Sequence, residues 1–144
     1  MPAVPYPASL WRRLAAAVYD LFLLVALLFA ATGIILPFYA GDAVPSGTWW
    51  FRLYILLVPL VFLGWFWTHG GQTLGMRAWR LQLRDAASGE LIGWRQVPLR
   101  YICAAASWVS VVGMLFCLFD RQKRSVHDLI CATEIVVLPR VRKG

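Results

Sequence analysis

An aspartate stands inside an apolar run. In "RRLAAAVYDLFLLVALLFAATGIILPF", residues 12–38, Asp20 follows the arginines Arg12 and Arg13 and is flanked by aliphatic and aromatic residues. A second set of ionisable groups lies near the other end of the chain: Arg124, His127 and Asp128, with Thr133 after them. An ionisable group at membrane depth either carries a proton or cation, or pairs with other polar groups and ties helices together. A histidine beside an aspartate has the chemistry of a proton relay, because imidazole titrates near neutral pH. It has equally the chemistry of a hydrogen-bonded anchor at a helix end.

Arg13 and Asp20 share one helix face, because two turns take about 7.2 residues. Along the axis they are about 10 Å apart, too far for assured contact. Arg13 therefore snorkels to the headgroups or pairs with a different carboxylate, and Asp128 is the natural candidate if the tail returns to the same face. Asp20 then takes donors from Thr68, Thr133, Ser107 or a backbone amide. The stretch "HGGQTLG" carries Gly71, Thr73 and Gly75 but lacks the Gly-Lys-Ser/Thr ending of a phosphate loop, so it reads as a glycine turn where the chain leaves the membrane. No Ser/His/Asp order, catalytic carboxylate pair or activated cysteine is present, and no enzyme is expected. Cys103, Cys117 and Cys131 are spaced as neither a metal site nor a redox pair, so no metal and no cofactor are expected. Asp42, Asp85 and Glu90 read as solvated loop acids, and His69 as an interfacial residue.

The elements that position these groups follow from composition. Of 144 residues, 60% are hydrophobic and only 15% charged, outside the range of ordinary soluble domains. The net charge of +7 would suit nucleic acid, yet no basic helix or aromatic-basic sheet motif accompanies it. In so apolar a chain the charge reads as basic loops facing anionic lipid. Residues 1–11 hold three prolines and form a short lead-in. Residues 14–36 give roughly 34 Å of helix, enough to cross a hydrocarbon core of about 30 Å. A signal peptide is the competing reading, disfavoured by Asp20 in the apolar region. Residues 49–68 form a second span with tryptophans at both ends, and residues 98–119 a third apolar segment. Between them "MRAWRLQLRD" alternates with period two and "DAASGE" reads as a turn, which predicts a hairpin of residues 76–84 and 90–94, with 133–138 as a candidate third strand.

Charge places these segments. The first loop has no Lys or Arg, whereas residues 69–97 carry Arg77, Arg80, Arg84 and Arg95, so the positive-inside rule puts the N-terminus and this stretch in the cytoplasm. Three full crossings would leave a basic tail outside. The preferred reading is that residues 98–119 re-enter, bending near Ser107, Ser110 and Gly113, since protein-buried irregular backbone is tolerated at membrane depth. Three plain crossings with an external tail is the alternative. The fold class expected is an all-α membrane protein of two to three transmembrane helices with a small cytoplasmic β-hairpin.

Three stretches resemble the RDD family of small bacterial membrane proteins: "RLAAAVYD" with Arg13 and Asp20, "GQTLG" with Gly71, Thr73 and Gly75, and "RSVHDLICATEIVV" with Arg124, His127, Asp128 and Thr133. Together they span residues 12–137. One departure is Ala132, where the family usually has glycine. The resemblance implies a single multi-pass domain in the bacterial inner membrane and transport of an unknown ligand, such as protons or monovalent cations. The alternative function is a non-transporting assembly or scaffold subunit. The expected partners are the lipid bilayer and either copies of the chain in a homo-oligomer or other membrane proteins; no nucleic acid is expected.

Overall fold

A computed structural model describes residues 5–110, 115, 118–119, 121 and 123–139, with the side chains of 107–110 outside the description. The Gly113 part of the expected bend, the side chains of Ser107 and Ser110, and Cys117 lie outside the described residues.

The chain begins with a two-residue strand β1 (Tyr6–Pro7), then the long helix α1 (Leu10–Ile35), which ends in a 3₁₀ turn at Leu36–Tyr39. Helix α2 (Trp49–His69) returns. At 26 and 21 residues they measure about 39 and 32 Å at 1.5 Å per residue. Both are long and apolar enough to cross a membrane. Little of either is covered by the rest of the chain: Phe22, Phe29 and Trp49 are among the side chains left more than 70% exposed. Apolar area of that extent marks a membrane or an interface.

The predicted hairpin does not form. Residues Leu74–Ala78 are a short helix, α3, started by Thr73, whose Oγ1 accepts the Met76 amide at 3.2 Å. Only Leu81–Asp85 make a strand, β2. Residues 90–94 contain no strand and pass beside the core, with Ile92 buried. The period-two reading of residues 76–80 loses to the threonine cap and to Arg80, whose φ of +58° turns the chain between α3 and β2. The strand that pairs with β2 is β3 (Thr133–Val137), antiparallel, in the register Leu81↔Val137, Leu83↔Ile135, Asp85↔Thr133. β1 adds on the other side of β3, giving the order β1-β3-β2. Pro7 is tolerated because it lies on an edge strand.

The third apolar segment opens with helix α4 (Val97–Ser110). Its 14 residues measure about 21 Å. A five-residue helix α5 (Val126–Ile130) precedes β3. The core lies at the sheet end of the molecule, where Leu81, Leu83, Val137, Met76, Ile92 and Val97 pack together. Because β1 precedes α1 and β3 follows α5 in one sheet, both ends of the stretch 98–132 return to the end of α1 where the chain began.

Candidate functional site

Two polar clusters sit at this end of the molecule. The larger is built on Asp128, whose side chain has no exposure. Its Oδ2 accepts Arg13 Nη1 at 2.5 Å, and its Oδ1 accepts Arg100 Nη1 at 2.9 Å. The two arginines are each the fourth residue of their helix, α1 and α4, and their side chains are 4% exposed. Asp128 is the third residue of α5, and Ser125, the residue before that helix, donates to Oδ2 from its amide (3.2 Å) and its hydroxyl (2.8 Å). A carboxylate three residues into a helix reaches back in this way as half of a capping box. The same carboxylate thus starts α5 and holds α1 and α4 to it.

Arg100 extends the cluster. Its Nη1 also donates to Thr133 Oγ1 at 2.5 Å, at the start of β3, and its guanidinium lies 5.3 Å from the Trp67 ring centre on α2. Arg13 Nε reaches the Ala8 carbonyl at 3.4 Å, between β1 and α1. Five elements therefore meet around one carboxylate. Burial alone would raise the Asp128 pKa, but the Arg100 and Arg13 guanidiniums outweigh it and hold the carboxyl well below its usual range.

His127 is buried beside this pair. Burial lowers its pKa to about 4; Asp128 works against that, and the charges of Arg100 and Arg13 add to it. The ring is therefore neutral near pH 7. Its tautomer follows from the one proton on Ser125 Oγ: that proton goes to Asp128, so His127 Nε2, 3.1 Å from Oγ, must donate to it. Nε2 is 3.6 Å from Asp128 Oδ1, too long for a good hydrogen bond. His127 Nδ1 has no hydrogen-bond partner among the described residues. Arg124 is half-buried at the approach to α5.

The second cluster is built on Asp20, two turns deeper in α1 than Arg13. Its Oδ1 accepts the Gly75 amide at 2.8 Å and its Oδ2 the Thr73 hydroxyl. Thr73 thus donates to Asp20 while capping α3. Gly75 is required by space: a Cβ there would lie 2.2 Å from the Ala16 carbonyl oxygen of α1. Gly71, with φ of +65°, makes the turn that lets its carbonyl accept the Leu83 amide at 2.6 Å. Thr73 and Gly75 seat α3 on α1, and Gly71 ties the preceding turn to β2.

The expected residues therefore separate into two groups. Arg13, His127, Asp128 and Thr133 come together, and Asp20 joins Thr73 and Gly75 instead, with Gly71 bonded to Leu83 of β2. Of the donors expected for Asp20, the backbone amide is the one found. Thr133 serves Arg100, and Thr68 bonds the Gly64 carbonyl of its own helix at 2.8 Å. Sequence reasoning missed Arg100, although an arginine inside "PLRYICAAAS" carries the same signal as Asp20. It also missed Ser125, which the Ser-x-x-Asp spacing of a capping box would have found. Asp85 is more than a solvated loop acid: it accepts the Ala87 and Ser88 amides and Gln96 Nε2. Those bonds, Ser88 first, lower its pKa. His69 stacks on Trp65 with ring centres 3.9 Å apart. Cys103 is half-buried and Cys131 buried. Among the described residues no three His, Cys, Asp or Glu side chains gather to hold a metal ion.

The sequence pattern of the RDD family matches residues 7–132. No curated protein and no solved structure matches the chain. With most of its length matched, the chain belongs to the RDD family.

Proposed function

We propose that this RDD-family membrane protein is a two-span, re-entrant module of the bacterial inner membrane that works in assembly with copies of itself or with other membrane proteins. The observation that carries the reading is the Asp128 cluster. A carboxylate with zero exposure, bonded by arginines of α1 and α4, is built to fasten helices to the sheet rather than to exchange an ion with solvent. The Asp20 carboxylate is likewise occupied by two donors from the chain itself. What remains for partners is the apolar surface of α1 and α2. In this reading β1, β2 and β3 lie in the cytoplasm, the stretch 98–119 enters and leaves on that side, and the basic tail satisfies the positive-inside rule.

A second reading, transport of protons or monovalent cations by an oligomer, is favoured by one observation: Asp20 is a carboxylate within α1 that is only half-buried. Two spans enclose no pathway, so this function also requires copies or partners. Proteoliposomes containing the purified chain separate the two. The assembly reading expects no dissipation of a pH gradient above empty vesicles, together with cross-linking of α1 or α2 to a neighbour in native membranes. Flux in wild type that disappears in a stably folded Asp20→Asn variant would overturn it in favour of transport.

A further inference from the structure

Arg13 and Arg100 are held by Asp128, Arg84 by Glu134 at 2.6 Å, and Arg52 by the Ser46 carbonyl. Arg77 and Arg80 are different. Neither guanidinium has an ion-pair or hydrogen-bond partner among the described residues, yet both line one cleft of about 290 Å³ with Gln72, Leu138 and Pro139. The backbone makes this pairing deliberate. The Arg80 amide donates to the Arg77 carbonyl at 3.2 Å, closing a tight turn between α3 and β2, and the Leu138 amide donates to the Arg80 carbonyl at 2.8 Å, fixing the opposite wall. Gln72 is held by a bond from its Nε2 to the Leu81 carbonyl at 2.7 Å. Arg80 itself has φ of +58°, a left-handed conformation that glycine adopts with less strain. An arginine at a glycine position, beside a second unpaired arginine, points to a use for its side chain.

We infer that this cleft holds the phosphate of an anionic lipid headgroup. Guanidinium forks match phosphate oxygens, and two from one turn form a clamp. The occupant is a lipid rather than a dissolved phosphate because of what surrounds the cleft. The helix that carries Arg77 is seated on α1 at the level of Ala16 and Asp20, so it lies along the first turns of a spanning helix. Leu74 and Trp79, on and just after that helix, are 37% and 44% exposed, as side chains that enter an interface would be. The cleft is at the lower limit of ligand pockets in size, suited to a headgroup whose acyl chains stay in the bilayer. The inference rests on the membrane placement proposed above.

The test is native mass spectrometry of the full chain released from neutral detergent with phosphatidylglycerol or phosphatidylcholine added. At about 1 kcal/mol per arginine near an anionic surface, Arg77→Gln or Arg80→Gly alone should weaken phosphatidylglycerol binding about fivefold, and the pair about thirtyfold. Arg95→Gln with Arg121→Gln removes the same charge from exposed positions and should leave binding at the wild-type value. Arg80→Gly relieves backbone strain, so its melting temperature should equal or exceed wild type while its lipid binding falls, which separates lost binding from lost folding. Equal weakening in the control pair, unchanged binding in the cleft pair, or displacement of the lipid by millimolar inorganic phosphate would each overturn the site. Recovery of the wild-type chain in the soluble fraction, before any lipid is added, would instead overturn the membrane placement.

Discussion

Removing the Asp128 carboxylate should cost the fold more than removing either arginine that binds it. Asp128→Ala strands two guanidiniums, each 4% exposed, with Thr133 Oγ1 and the Ala8 carbonyl as the acceptors left among the described residues. Breaking one buried pair costs about 3–5 kcal/mol because the surviving charge stays desolvated. Arg13→Ala leaves Asp128 still neutralised by Arg100 and still bonded by Ser125, so its cost should sit near the lower limit, about 3 kcal/mol. Asp128→Ala should reach or exceed the upper limit, about 5 kcal/mol, and it also removes the first-turn acceptor of α5. In the double variant the Arg13 guanidinium is no longer there to be stranded, so the loss should fall short of the sum of the singles by about 1–3 kcal/mol. Chemical unfolding of the four proteins in a mild detergent, followed by near-ultraviolet circular dichroism of the tryptophans, reads these differences. Additive losses, or Arg13→Ala as damaging as Asp128→Ala, would refute the reasoning. The first outcome would mean that the two groups do not act on each other, and the second that Arg100 contributes nothing to the carboxylate.

Three further outcomes follow from particular atoms. Gly75→Ala places a methyl group against the Ala16 carbonyl oxygen, so α3 must move off α1; it should cost about 1–3 kcal/mol in the same unfolding assay and open Asp20 to solvent, seen as faster exchange of the Gly75-position amide. Ala132 occupies a left-handed turn at φ of +52° and is exposed, so Ala132→Gly should stabilise the chain by about 0.5–1 kcal/mol, and a loss of stability would show a close contact there instead. His127 binds its proton at a pKa of about 4 when folded, against 6.5 when unfolded. The unfolded state therefore takes up the proton first, and stability that is complete above pH 6.5 should fall by about 3 kcal/mol as the pH drops to 4. His127→Gln should flatten that window in a pH series of unfolding curves, while leaving the further loss below pH 4 that comes with protonation of Asp128.

The parts of this molecule that were legible in the sequence are those settled by local chemistry. Apolar length alone marks α1 and α2, and the observed bounds fall within a few residues of the expected ones. The β-branched run "TEIVV" reads as a strand and is one. What the sequence hid is pairing. The pattern of "MRAWRLQLRD" runs unbroken across a helix and a strand, and only the cap at Thr73 and the turn at Arg80 divide it. The partner of β2 arrives from about fifty residues away, where no turn signal points. The site behaves the same way. Each acid in an apolar stretch announced that it needs a partner, and the return of the tail suggested Asp128 for Arg13. Nothing local says that Thr73 folds beside Asp20 across 53 residues, or that Arg100 crosses 28 to reach Asp128.

The placement of both clusters at one end has a physical consequence in a bilayer. Lipid tails are as apolar as leucine, so burying aliphatic surface between two spans contributes little to holding them together; polar bonds and close packing must do it. In the half of the helices away from the sheet, the side-chain bond joining α1 to α2 among the described residues is Tyr54 Oη to the Ala31 carbonyl at 3.1 Å. Between that bond and the sheet runs an open apolar groove of about 540 Å³, lined by side chains such as Leu27, Val58 and Phe62. At the sheet end, Asp20 bonds Thr73 and Gly75, and Arg13 bonds Asp128. The chain is therefore a clasp closed at one end and loosely joined at the other. Loss of the Asp128 cluster removes the Arg13 anchor of α1 and leaves the Asp20 one, whereas loss of the Tyr54 bond alone leaves the sheet and both clusters intact. Tyr54→Phe should accordingly cost no more than about 1 kcal/mol. A loss as large as that of Arg13→Ala would show that the far half of the spans is held as firmly as the near half, and that the energy is not concentrated in the polar end.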